Sequence, residues 1–122
     1  MKRLLGFLIM LTLSLSIQAQ SISYIETTKG WYYIYDQSGK RIKTISSSQG
    51  ELAGYSSNFY IIKLISGFYV TYDAAGKHLH TFSTKSVGEI LNATGDTFTS
   101  RNGSWIYTWS KDGKKISTRS AR

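Results

Sequence analysis

A chain of 122 residues with no cysteine and no proline has room for one small domain, and that domain must hold together by its core alone. A net charge of +8 suits an acidic polymer or an anionic surface as partner. Seven acidic residues, with no phosphate loop, no Gly-x-Ser-x-Gly elbow and no zinc-ligand spacing, leave little material for catalysis, so we expect no enzyme, no metal and no cofactor.

In chain order, residues 1–19 read as a secretory signal peptide. Lys2 and Arg3 form a basic start, 4–15 is apolar apart from Gly6, Thr12 and Ser14, and Ala19 is the small residue before cleavage at Gln20. The apolar run is shorter than the roughly 20 residues a membrane span needs. No cysteine follows it, which excludes a bacterial lipid anchor. The expectation is a secreted or periplasmic protein with no stable membrane insertion after cleavage. Its single domain would cover 20–122, and the lack of cysteine points to a bacterial source. Losing Lys2 and Arg3 takes two from the net +8 and leaves +6. Export makes nucleic acid a poor partner.

The rest of the chain repeats. Trp31-Tyr32-Tyr33-Ile34-Tyr35-Asp36, Phe68-Tyr69-Val70-Thr71-Tyr72-Asp73 and Trp105-Ile106-Tyr107-Thr108-Trp109-Ser110 each alternate with a period of two, the strand signature. Each is followed by a turn glycine, Gly39, Gly76 or Gly113, spaced by 37 residues, and then by a second strand over 40–46, 77–83 or 114–120. A feeder strand precedes each aromatic strand, with 21–28 playing that part first. Gly50-Glu51-Leu52 and Gly88-Glu89-Ile90 mark a further strand. A fixed period sets the architecture: an all-β domain of three tandem antiparallel β-meander units of about 37 residues, roughly 21–54, 55–92 and 93–122, with about eleven strands. The last unit would lack its fourth strand.

Ile34-Tyr35-Asp36-Gln37-Ser38-Gly39-Lys40-Arg41-Ile42, followed by Gly50-Glu51, resembles the inner hairpin of bacterial β-propeller blades of the six-bladed, NHL-like kind. Gly95-Asp96-Thr97-Phe98 leading to Trp105-Ile106-Tyr107-Thr108-Trp109 is similar to quinoprotein-type blades. The resemblance implies blade-like sheets, yet rings take ~4–8 blades and this chain has three. The units could stay open, or two chains could pair to make six. A weaker resemblance is to the three-fold β-prism of mannose-binding lectins, whose Gln-x-Asp-x-Asn-x-Val-x-Tyr sugar motif is missing from every copy. A β-trefoil is the remaining alternative.

Function is read more coarsely. Trp31, Tyr33, Tyr35 and their repeats are expected to be core, because each unit buries the same face against its neighbour. That leaves Tyr32 and Tyr69 as candidate sugar platforms, with Lys40, Lys77 and Lys114 as a basic rim. His78 and His80, two apart on a strand, would share a face, but without a third ligand they are read as solvated rather than metal-binding. Asp36 and Asp73 are expected to brace their turns. The expected protein is an exported, non-catalytic module that binds a surface glycan, an acidic polymer or a protein partner. The alternative is an assembly module that completes its sheets by forming a homo-oligomer or docking on a larger protein.

Overall fold

The computed structural model describes residues 21–121; the segment 1–19, expected from sequence to be a signal peptide, lies outside them. Eleven strands form three antiparallel sheets. Sheet A contains β1 (Ile22–Thr28), β2 (Trp31–Asp36) and β3 (Arg41–Ser46). Sheet B contains β4 (Glu51–Tyr55), β5 (Phe59–Lys63), β6 (Phe68–Asp73) and β7 (His78–Ser83). Sheet C contains β8 (Glu89–Thr94), β9 (Thr97–Asn102), β10 (Trp105–Ser110) and β11 (Lys115–Ser120). Strands pair in sequence order, so each sheet is a meander. The expected all-β, blade-like units are present.

The phase of the units differs from expectation. The Gly-Glu strands β4 and β8 open the following sheet rather than closing the one before. Among the described residues, the three-stranded sheet is therefore the first, not the last. The breaks fall at a 3₁₀ turn, Ser47–Gln49, and at a one-turn helix α1, Thr84–Val87. Ser46 and Ser83 cap these turns by accepting from the backbone N–H of Ser48 and Lys85. Gly50 and Gly88 then turn the chain into the next sheet.

The hairpin turns follow the expected chemistry. One carboxylate oxygen of Asp36 accepts from Ser38 Oγ at 2.7 Å, Ser38 N at 2.9 Å and Lys40 N at 3.0 Å. Asp73 accepts likewise from Ala75 and Lys77, and in the third copy Ser110 Oγ accepts from Lys114. The Ser38 hydroxyl bond, followed by the Lys40 backbone bond, lowers the Asp36 carboxyl below its usual 3.8. A lowered folded value makes this bracing complete above the unfolded carboxylate's pKa and lost as pH falls through the folded one. Asp36→Asn should therefore flatten the acid limb of a urea-midpoint profile below about pH 4. An acid limb identical to that of the parent chain would contradict this.

The sheets stack face to face. One core lies between A and B, where Ile25, Tyr32, Ile34 and Ile45 meet Tyr60, Ile62 and Ala74. The second lies between B and C, where Phe59, Ile61, Tyr69 and Phe82 meet Phe98 and Trp109. Sheet B is covered on both sides, and four consecutive residues of β5, Phe59 to Ile62, are buried, as expected for a strand with two internal faces. By contrast every residue of β11 is exposed.

This stacking corrects the face assignment. Tyr32, Ile34, Tyr69, Thr71 and Ile106, expected on a half-polar outer face, are buried. Trp31, Phe68 and Trp105, expected in the core, are each exposed over nearly half their surface. Between them the Trp31 face is covered in B and C but open in A. Sheet B packs one face on the sheet before it and the other on the sheet after it, while A and C each pack one face, so alternation alone does not say which face is internal.

Candidate functional site

The open face of sheet A is the most distinctive surface of the described chain. Tyr24 on β1 stacks on Tyr35 of β2, with ring centroids 6.5 Å apart and planes at 15°. The Tyr35 hydroxyl donates to the Glu26 carboxylate at 3.0 Å. That bond, more than burial, pushes the Tyr35 hydroxyl above the usual phenol value. Arg41 on β3 places its guanidinium 4.6 Å from the centre of the Tyr33 ring. Trp31 extends the same face, because side chains two apart on a strand share a side. The surface thus carries four rings, one carboxylate and one guanidinium.

Register identifies what this surface is. Tyr24 sits opposite Tyr35, Tyr60 opposite Tyr72, and Phe98 opposite Trp109. The three pairs are near-parallel stacks, with planes at 15°, 21° and 17°. Tyr60 is 2% exposed and Phe98 0%, because the preceding sheet covers each of them. Tyr24 is 54% exposed. Among the described residues, no sheet covers the open face of A, which has the make-up of a blade interface.

The five sites expected from sequence are not brought together. Tyr32 and Tyr69 are buried and serve as staples, so neither offers its ring to a sugar. The Tyr32 hydroxyl donates to the Gly50 carbonyl at 2.9 Å and accepts from Leu52 N at 3.1 Å. The Tyr69 hydroxyl donates to the Gly88 carbonyl at 2.7 Å, and burial raises its pKa. Both hold a sheet-to-sheet crossover. Tyr32→Phe should cost about 1–3 kcal/mol, since it strips partners from two backbone groups; the urea midpoint measures it. Lys40, Lys77 and Lys114 lie exposed, one at each hairpin turn, spread along the stack rather than converging.

His78 and His80 do not share a face. A β-bulge between their partners Tyr72 and Thr71 turns them apart. His78 meets the edge of Tyr72, while His80 meets Phe82 and lies against the Gly113 turn of sheet C. Among the described residues no group of three or more His, Cys, Asp or Glu is placed to hold a metal. A cavity of about 500 Å³ opens near Gly50 and Gly67. Tyr32 lines it, but its hydroxyl is already engaged. No helix among the described residues is long and apolar enough to cross a membrane.

Tyr24 and Glu26 were missed by sequence reasoning. The signal was present, since Tyr24, Tyr60 and Phe98 are equivalent. It is blurred because they are 36 and 38 residues apart rather than 37. Both offsets come from one extra residue in the β5–β6 hairpin, which places Tyr60 12 residues before Tyr72, whereas Tyr24 lies 11 before Tyr35 and Phe98 11 before Trp109.

In comparisons with known proteins, no family model matches this chain and no curated protein matches it. Among solved structures, the chain is similar to that of BamB from Moraxella catarrhalis, at 12% sequence identity and a TM-score of 0.47. The match covers 80% of this chain and 34% of that one, so the chain spans about a third of that protein's length.

Proposed function

We propose that this domain is an exported, non-catalytic docking module whose working surface is the open face of sheet A and whose ligand is a protein β-sheet. One observation carries the reading: the Tyr24–Tyr35 stack is the third copy of a pair that is covered by a neighbouring sheet in both other places. Burying two large rings removes about 300–500 Å² from water, a large share of the roughly 800 Å² that each partner contributes to a standard interface. Tyr and Trp with Arg are also the side chains that dominate binding energy at protein interfaces.

A second reading, a sugar platform, draws on the same face. Exposed rings beside Glu26 and Arg41 provide stacking with hydrogen-bonding groups at hand. Tyrosine nitration separates the two. In the native source, Tyr24 should be protected relative to the dilute purified chain, and protease treatment of the surroundings should remove that protection. Protection that survives protease and is removed by glycosidases would replace the protein ligand with a glycan. Tyr24 as reactive in the native setting as in dilute solution would overturn the docking reading.

A further inference from the structure

Resting on that docking reading, we infer that the occupant of the open face of sheet A is sheet C of a second copy of this chain, and that two copies close head to tail into a six-sheet ring. The two junctions inside the chain apply one operation twice. The Tyr32–Ile34 face of A sits on the Tyr60–Tyr72 face of B, and the Tyr69–Thr71 face of B sits on the Phe98–Trp109 face of C. On sheet C the next member of the first kind of face, Ile106 and Thr108, points away from sheet B, with Ile106 buried and Thr108 half-buried. Sheet A presents outward the next member of the second kind, Tyr24 and Tyr35. The two unmatched faces of the described residues therefore belong to the two halves of a junction the chain already makes.

Finer contacts repeat as well. At each internal junction a β3-type side chain lies against the next sheet's turn glycine: Lys43 against Gly76, and His80 against Gly113. The third such glycine, Gly39, has open space there. The third such side chain is Ser117, paired with Thr108 as His80 is paired with Thr71 and Lys43 with Ile34. The Thr71 hydroxyl donates to the Lys111 carbonyl across the junction at 2.7 Å. Thr108 and Gln37 occupy the corresponding positions and would repeat that bond between chains.

Charge complementarity favours a copy of this chain over an unrelated sheet. Phe82 meets the Phe98–Trp109 pair edge-on, with centroids 5.2 and 5.6 Å away. Its counterpart on the outer face of C is Arg119, which opposes Ile106 as Phe82 opposes Tyr69. Ser100, opposite Tyr107, has its counterpart in Glu26, opposite Tyr33. At the open ends, then, the apolar edge has become a guanidinium and the small polar group a carboxylate. An Arg119 seated like Phe82 would cover the Tyr24–Tyr35 stack beside Glu26, combining cation–π contact with an ion pair. Glu89 and Arg101 on C, and Arg41 on A, complete the charges of the two faces. The described residues of two chains give six sheets, inside the ~4–8 that rings take, whereas those of one give three and those of three give nine. Head-to-tail contacts that close are a stable solution for identical chains.

The test is a charge-reversal cycle read by sedimentation velocity on the full chain across a concentration series, with circular dichroism confirming that each variant folds. The parent chain should reach the mass of two copies. Arg119→Glu and Glu26→Arg should each weaken the pair at least ~10-fold, and the double reversal should restore it. As a second measure, Ser38→Cys with Ser117→Cys in this cysteine-free chain should give an oxidised covalent dimer, which neither single variant gives across the A–C junction. A parent chain that stays monomeric throughout overturns the ring. Association that Tyr24→Ser abolishes but Arg119→Glu leaves unchanged also overturns it, while leaving sheet A as a docking face. Association unaffected by Tyr24→Ser removes the docking reading itself.

Discussion

Phe98→Ala and Tyr60→Ala should each destabilise the folded chain by about 3–5 kcal/mol, whereas Tyr24→Ala should cost about 1 kcal/mol or less in dilute solution. The three residues occupy one repeat position and make the same kind of stack. They differ in what lies above them. Phe98 also touches Phe59 and Phe82 of sheet B, so its removal leaves a cavity walled by rings that cannot collapse. Tyr60 lies within the core between A and B. Tyr24 loses a stacking partner and little else, because water already covers half of it. Urea unfolding at micromolar concentration measures all three. At high concentration the ordering should change, with Tyr24→Ala approaching the others as the open face is covered. A Tyr24→Ala cost of several kcal/mol in the dilute monomer would mean that the face is closed within the chain itself.

Much of the fold was legible from sequence for reasons that these residues make plain. Alternating aromatic and β-branched residues mark the strands, and Asp36 and Asp73 ahead of Gly39 and Gly76 mark the hairpins, since both signals are local. The count of eleven strands follows from them. The phase of the sheets was not legible. A strand such as β4 has the same local character whether it pairs with β3 or with β5; the serine cap and Gly50 between β3 and β4 decide the matter, and they look like an ordinary loop. The site was less legible still. Tyr32 and Tyr33 both alternate correctly, and only the stacking order shows that Tyr32 is internal while Tyr33 faces outward. Local irregularities hid the rest. A bulge separates His78 from His80, and an extra residue in the β5–β6 turn shifts Tyr60 out of the 37-residue register. A bulge is a tertiary accommodation of twist, with no fixed residue signature in these strands.

The second large effect falls on the crossover glycines. Gly88→Ala should cost about 3 kcal/mol or more, and Gly39→Ala only about 1 kcal/mol, although the two have nearly the same φ, +83° and +85°. Both substitutions force an L residue into backbone that favours glycine, so that cost is common to them. At Gly39 a new Cβ meets open space, and strain is the whole effect. At Gly88 it runs into the carbonyl of Arg101 and lies 2.9 Å from Asn102 Cα. Those atoms belong to β9, which is fixed by pairing on both sides, so the chain has to shift instead. The shift would move the start of β8 and the Gly88 carbonyl that Tyr69 holds. Adding Tyr69→Phe to Gly88→Ala should therefore cost less than the sum of the two single changes, because the first change has already disturbed the bond that the second removes. Urea midpoints for the two single variants and the double variant measure this coupling. Full additivity would show that the crossover yields without disturbing the tyrosine staple. That outcome would place the junction between B and C under the control of its ring packing alone.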